Sequence, residues 1–430
     1  VGVGTFVTGL QPDSVTWGAI SGPRWSDVDS GDAAPPAQSI TRTASGVYHT
    51  ILHAYDVPQT LTHHWSSDLV TWESEGFDSW TYSTYLQRYA AQLASYGGTV
   101  AVAYKKETGA GQPPLLLVRT LTNGSWDSDQ NVDGDGLAMQ GTTANANEQL
   151  CANVAYNSTG TLYIAYPCKD GDSIPAIAVR SRPAGGSWSA PAFIYEPFDE
   201  GIDFPQLFID AEDNVHLVFA VTISFYNRQF GIGYTRLTNG VWGSPTYLNY
   251  SGDWIPAHGG AGMTVLPDGE VIVAWTEAME SLVIASLKDG SWTVSTFAFM
   301  PNVYGGPFYT PAVTQVGGYP VIIFNGYHAE GENTLYGTIR NDDGWAAPYE
   351  VANITEGADE TCVHPAAIPA EDCVVFSHAY WLGSQSWGQH FGSIKYTLAA
   401  PPKPPVPILP IKARHIWCGS FGRNIFRNAR

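Results

Sequence analysis

Short apolar runs recur along this chain at regular intervals. Seven of them, each five to eight residues long and rich in β-branched and aromatic residues, cover residues 48–55, 99–104, 162–166, 215–220, 271–275, 320–324 and 373–380. Runs of this length and composition are too short for helices and predict buried strands. Most follow a polar or glycine pair, such as Gly97-Gly98, Asp213-Asn214 or Asp268-Gly269, which is the composition of a hairpin turn. A strand precedes each run, as at 204–210, and another follows it, as at 231–237 and 335–340.

After the third strand comes a repeated phrase: a turn on Gly, Asn or Asp, a Trp, then small residues and often a Pro. Its clearest copy is Asn239-Gly240-Val241-Trp242-Gly243-Ser244-Pro245. The copies place Trp at 72, 126, 188, 242, 292 and 345, spaced by 50 to 62 residues. A period of that length marks a repeat architecture, and four antiparallel strands per repeat make the blade of a β-propeller. Seven second strands have only six Trp strands after them. The missing copy lies at the other end of the chain, at Trp17, 55 residues before Trp72. The pattern therefore predicts an all-β, seven-bladed propeller over residues 1–399, in which the N-terminal strand completes the last blade and leaves no open edge between first and last.

Composition agrees with a turn-rich β protein: 45 Gly, 29 Pro, 13% aromatic and only 14% charged residues among 430. The net charge of −20 repels phosphate backbones and argues against a nucleic-acid partner. No apolar run approaches the roughly 20 residues that span a bilayer, so membrane insertion is not expected. Val1-Gly2-Val3-Gly4 does not read as a secretory signal; a start without Met fits removal of Met, cleavage of a longer leader or a fragment alike. Five Cys without a CxxC pair argue against structural zinc. Cys151 and Cys168 fall on neighbouring strands, either as a disulfide or as two buried thiols.

Beyond Leu398 the character changes. Residues 400–410 form a Pro-rich linker, stiff and extended. Residues 411–430 are basic and apolar. From Lys403 onward there are six basic residues and no acidic one, so the remainder of the chain carries −26. Arg414, Trp417, Phe421, Arg423, Phe426 and Arg427 are the candidate anchor, either folded onto the acidic ring or docked into another subunit of a larger assembly.

Ser66-Ser67-Asp68-Leu69-Val70-Thr71-Trp72 resembles the Asp-box of sialidases and related propellers, and the Ser-x-Asp-Leu-Val-x-Trp stretch of five-bladed glycosidases. The wider Gly-x-Trp repeats resemble sialidase-like and seven-bladed lectin propellers over roughly residues 14–398, as a pattern of blades. The box is expected to be a folding device at the outer rim, between third and fourth strands. The resemblance to sialidases implies three Arg for the substrate carboxylate, one in an Arg-Ile-Pro motif. That motif is absent, and Gly22-Pro23-Arg24-Trp25 is a poor substitute. Walker, Rossmann, HExxH and GxSxG motifs are also absent.

Candidate chemistry falls in the connections that lead into the first strands. Glycoside hydrolysis needs two facing carboxylates, and Glu148 with Asp203 is the candidate pair; Asp199, Glu200, Asp359 and Glu360 lie in similar places. Aromatic residues there suit sugar rings or protein partners. Arg88, Asp203, Trp254, His258, Tyr304, Tyr309 and His364 form the candidate ligand set. His49, His53, His63 and His64 are expected to be structural, and no metal or other cofactor is expected. Asp133-Gly134-Asp135-Gly136 offers oxygens to Ca²⁺ but lacks the full ligand series, and reads as a polar turn. The leading expectation is a non-enzymatic recognition propeller for a glycan or host-surface receptor. Its C-terminal segment would tether it in an extracellular or virion-surface assembly. The alternatives are a sialidase-like glycoside hydrolase (or a lyase) and a purely structural subunit.

Overall fold

The computed structural model describes residues 2–3, 11–19, 25–26, 40–54, 59–80, 91–106, 115–132, 152–170, 172, 174–195, 201–224, 229–248, 260–277, 281–298, 303–305, 311–328, 333–353, 363–370, 373–381 and 386–397. Their regular structure is all β. Seven antiparallel blades follow one another along the chain, with strands a to d running from the axis outward.

Strand a is Ile40–Arg42, Gln92–Tyr96, Asn153–Tyr156, Ile202–Ile209, Gly262–Val265, Ala312–Val316 and Val363–Pro369 in blades 1 to 7. Each packs beside the inner strands of both neighbouring blades, and that of blade 7 packs beside that of blade 1, so the ring is closed. The seven apolar runs are the second strands, among them Thr99–Lys106, Val215–Ser224 and Cys373–Trp381. Their faces alternate, as strand geometry requires. Tyr104, Phe77 and Leu93 join one cluster across blades 1 and 2, while Ala101 and Ala103 join the next with Tyr166 of blade 3. The core is thus a series of apolar wedges between blades. At one level of strand b it carries an almost fully buried aromatic side chain in five successive blades: Tyr104, Tyr166, Phe219, Trp275 and Phe324.

Closure occurs where the pattern of Trp residues places it. Ser14–Ala19 pairs antiparallel with the third strand of blade 7, Ser386–Lys395, with Trp17 opposite Gly392. Thr16 Oγ1 and Ser393 Oγ lie 2.9 Å apart across this seam. A Cβ at Gly392 would meet the Thr16 carbonyl oxygen at 2.4 Å, so only glycine allows the strand so close. The N-terminal segment does more than the sequence indicated. Gly2–Val3 adds a parallel strand to the outer edge of blade 5, against Ser295 and Thr296, and Gln11 reaches the Ala347 carbonyl of blade 6.

The Trp turns mark the rim. In Asn123-Gly124, Asn239-Gly240 and Asp289-Gly290 both residues have positive φ, the two-residue turn whose twist matches paired strands. The Trp strand is interrupted in blades 2, 4 and 6: Val241–Trp242 stops at Gly243-Ser244-Pro245 and pairing resumes at Thr246–Tyr247. The rim Trp residues pack toward the blade before their own: Trp126 joins the cluster of blades 1 and 2, and Trp242 that of blades 3 and 4. In the Asp-box, Asp68 Oδ1 accepts the Thr71 amide at 2.7 Å and the Val70 amide at 2.9 Å, and Ser66 Oγ accepts the Leu69 amide at 2.9 Å. Those backbone bonds, Thr71 first, hold the Asp68 carboxyl at about 2. Trp72 packs at a tilt against Phe391 of blade 7, with ring centroids 4.5 Å apart. The box is a folding device. Cys168 is buried, and Cys151 lies outside the described residues.

The propeller belongs to a compact unit spanning Val1–Thr397. Residues 398–430, with the linker and Arg414, Trp417, Phe421, Arg423, Phe426 and Arg427, lie outside the described residues.

Candidate functional site at the upper mouth of the ring

The chain enters every inner strand from the same face, called upper here. The first and second strands meet at the lower face. Asp203 stands at the upper end of strand a in blade 4 and is buried. Among the described residues of the seven inner strands it is the one carboxylate. It precedes a β-bulge: Asp203 opposes Ala220 and Gln206 opposes Val218, so Phe204 and Pro205 share one partner position. Phe204 has φ +52, a costly conformation for a bulky residue, and its amide donates to Asp203 Oδ1 at 2.9 Å. Proline suits a bulge because it has no amide to pair.

Blade 7 repeats this device. Val363 opposes Ala379 and Ala366 opposes Ser377, so His364 and Pro365 form the bulged pair. The bulges put Phe204 and His364 at equivalent positions, with Asp203 one residue before. Ser377, paired with Ala366 just after the blade 7 bulge, is fully buried, and its hydroxyl has no hydrogen-bond partner.

Below Asp203 the inner strands are joined by carboxamides. Asn153 Nδ2 donates to Gln206 Oε1 at 3.2 Å and to Gln92 Oε1 at 3.4 Å, while Asn153 Oδ1 accepts the Leu207 amide at 2.9 Å. Gln92, Asn153 and Gln206 oppose Ala103, Ala165 and Val218, the same register position in blades 2, 3 and 4. A polar arc therefore runs over three consecutive blades.

Tyr304 lies in Val303–Gly305, which pairs with the upper extension of the second strand of blade 6, opposite Tyr327. This places its backbone on the same side of that strand as the inner strand Ala312–Val316. Arg88, Glu148, Trp254, His258 and Tyr309 lie outside the described residues, as do Asp199, Glu200, Asp359, Glu360 and Asp133–Gly136. Of the candidate ligand set, the structure thus places Asp203, Tyr304 and His364 at three different blades of one face.

Two polar constellations have no counterpart in the sequence reading. On the upper side between blades 1 and 2, the Tyr104 hydroxyl lies 2.6 Å from Asp129 Oδ1 and 3.0 Å from Asp78 Oδ2. Lys106 binds both oxygens of Asp78 at 2.8 and 2.9 Å, and Arg119 pairs with Asp129. Burial, then the two carboxylates, pushes the Tyr104 hydroxyl far above its ordinary pKa, so it is no base. With two cations on two carboxylates, the group is a neutral staple between blades. On the lower side, His216 links Asp210 Oδ2 at 3.0 Å to the Tyr234 hydroxyl at 2.8 Å. The order resembles an acid–base triad, but His216 and Tyr234 are buried, and burial raises Tyr234 to about 12. Asp210 also closes its own hairpin through Asn214. This too is a structural pin. Neither constellation reveals itself in a linear motif, because its members come from separate strands.

No family model matches the chain, and no curated protein is recognisably similar in sequence. Solved structures are similar in fold. Polysaccharide lyase Uly1 is 12% identical with a TM-score of 0.52, over 88% of this chain and 94% of that one. Trypanosoma rangeli sialidase is 13% identical with a TM-score of 0.50, over 89% of this chain and 60% of its own. A protein of unknown function from Dyadobacter fermentans is 12% identical with a TM-score of 0.48, over 89% and 99%.

The propeller fold is shared with a sialidase and a polysaccharide lyase. At these identities the likeness is one of architecture, and the chain spans about three fifths of the sialidase.

Proposed function

We propose that this propeller recognises carbohydrate at its upper mouth, without turning it over. The carrying observation is the setting of Asp203: the one carboxylate of the described inner strands, held at the mouth by a strained bulge and backed by the Gln92–Asn153–Gln206 arc. A carboxylate and carboxamides suit the hydroxyls of a sugar, and backbone strain of this kind concentrates at functional sites. Tyr304 and His364 stand at the same face, and Arg88, Trp254, His258 and Tyr309 of the intervening connections complete the proposed set. The non-enzymatic reading is preferred because Asp203 Oδ1 is already committed to the Phe204 amide. The fold's similarity to a sialidase and a polysaccharide lyase supports carbohydrate as the ligand class. The acidic ring and the basic, apolar C-terminal segment support a tethered module, held through that segment in a larger extracellular or virion assembly.

The test is a glycan array followed by calorimetry on hits, with wild type and Asp203→Asn. Asn keeps the acceptor for Phe204 and removes the charge. Retention by wild type, with at least tenfold weaker binding by the variant and no product, is the expected result. Release of reducing sugar or of an unsaturated product, abolished in Glu148→Gln or Asp203→Asn, would make the protein an enzyme instead. Absence of any retained glycan would overturn the carbohydrate reading altogether.

A further inference from the structure

Blade 1 concentrates buried imidazoles on both of its faces. His49, His63 and His64 are 6%, 1% and 4% exposed. His49 and His63 sit on the face toward blade 2: their rings stack at 5.2 Å, and His63 meets the edge of Trp126 at 5.0 Å. His64 follows His63 in the strand and so faces the other way, the side on which Tyr48 packs with Val375 and Phe391 of blade 7.

The hydrogen bonds count the protons. Glu75 Oε1 lies 3.0 Å from His63 Nδ1 and accepts the Trp126 indole N–H at 2.9 Å. The carboxylate requires a proton on His63 Nδ1. His63 Nε2 is 3.0 Å from His49 Nδ1, and that contact holds a single proton. The pair can take up one proton, with His63 charged against Glu75. A second would set two N–H groups against each other and part the rings. His64 Nε2 is buried with no hydrogen-bond partner, so its protonation puts a charge in the wedge beside blade 7 with no bonded acceptor among the described residues.

We propose that blade 1 is an acid-operated latch, in which proton uptake by His49, His63 and His64 releases it from blades 2 and 7 and opens the ring there while the other blades stay folded. Among the described residues its inner strand, Ile40–Arg42, pairs only with the second strand of its own blade, so blade 1 meets its neighbours through side-chain packing and not through a shared backbone ladder. The neighbouring groups do not cancel the effect. Toward blade 2 stand Glu75, Asp78, Lys106, Arg119 and Asp129, tied to one another or to the rings just named. Toward blade 7 stand Tyr48, Arg42 over its ring at 5.3 Å, and Cys373. Burial raises the Glu75 carboxyl, but the bonds from His63 and Trp126 bring it below its usual value, so it stays ionised as the histidines titrate.

Burial, then the His63 charge, lowers His49 and His64 from 6.5 to about 4. A histidine so lowered contributes its full stability above pH 6.5 and loses it as pH falls toward 4. Each such proton weakens the closed state up to about tenfold per pH unit in that window.

Pulse hydrogen exchange, corrected for the intrinsic effect of pH, compares residues 48–66 of blade 1 with residues 215–238 of blade 4. Between pH 6.5 and 4 the blade 1 peptides are expected to lose protection first, with quenching of Trp fluorescence by the charged imidazole. His49→Asn with His64→Gln, which cannot titrate but keeps a donor at position 49, should hold protection to lower pH. Glu75→Gln, which withdraws the partner of the first proton, should lose it at higher pH. Simultaneous loss in both blades, or unchanged transitions in both variants, would overturn the latch.

Discussion

The Asn153 carboxamide uses its nitrogen for Gln92 and Gln206 and its oxygen for the Leu207 amide, so one side chain ties the inner strands of blades 2, 3 and 4. Its value lies in what it leaves behind when removed. Asn153→Leu is nearly the same size but takes away the donor to Gln92 and Gln206 and the acceptor of the Leu207 amide. It is expected to destabilise the ring by about 2–4 kcal/mol, measured as a lower urea midpoint. The amide arc resembles a surface feature in sequence, where Gln92, Asn153 and Gln206 are isolated polar residues beside apolar runs. Register alone shows that they share one level.

At the scale of the element, the two N-terminal strands act on different blades and should differ in consequence. Ser14–Ala19 makes six paired positions with blade 7, and Asp13 adds a backbone bond to Lys395. Gly2–Val3 covers only two positions on blade 5. Deleting residues 1–10 is expected to leave a monomer with a slightly lower melting temperature. Deleting residues 1–19 exposes the third strand of blade 7 as an open edge and should give aggregation in light scattering. A monomeric, stable 20–430 protein would show that the closing strand is dispensable. The bulges at Phe204-Pro205 and His364-Pro365 are also decisions of this scale. Each proline breaks a strand pattern that would otherwise read as continuous, but whether it ends the strand or bulges it depends on the partner strand.

For the molecule as a whole, the ring's packing is a cycle of wedges within one compact unit ending at Thr397. Truncation after Leu398 is therefore expected to leave the melting temperature and glycan retention unchanged, while association with other subunits, read by sedimentation or co-purification, is lost. A large fall in melting temperature on truncation would assign the basic segment to the ring itself and remove the tether from the proposed function.

By itself the sequence determined the number of blades, the order of their strands and the blade that the N-terminus completes. These follow from local rules repeated seven times: apolar alternation sets the strands, Gly and Asn at positive φ set the turns, and a period of Trp counts them. Trp17 could be assigned to blade 7 because a missing member of a repeat is visible without coordinates. The Asp-box was legible as a rim device for the same reason, since all its bonds lie within seven residues. The tertiary structure alone decided the chemistry of the mouth and of blade 1. It set Asp203 before a bulge, joined Asn153 to residues 53 and 61 positions away, and brought His49 to His63 and Glu75. Hydrogen bonds act over about 3 Å, whereas the pattern of a sequence fixes a residue only to a strand and a face. Which two polar groups fall within that distance depends on register within a blade and on the packing of one blade against the next.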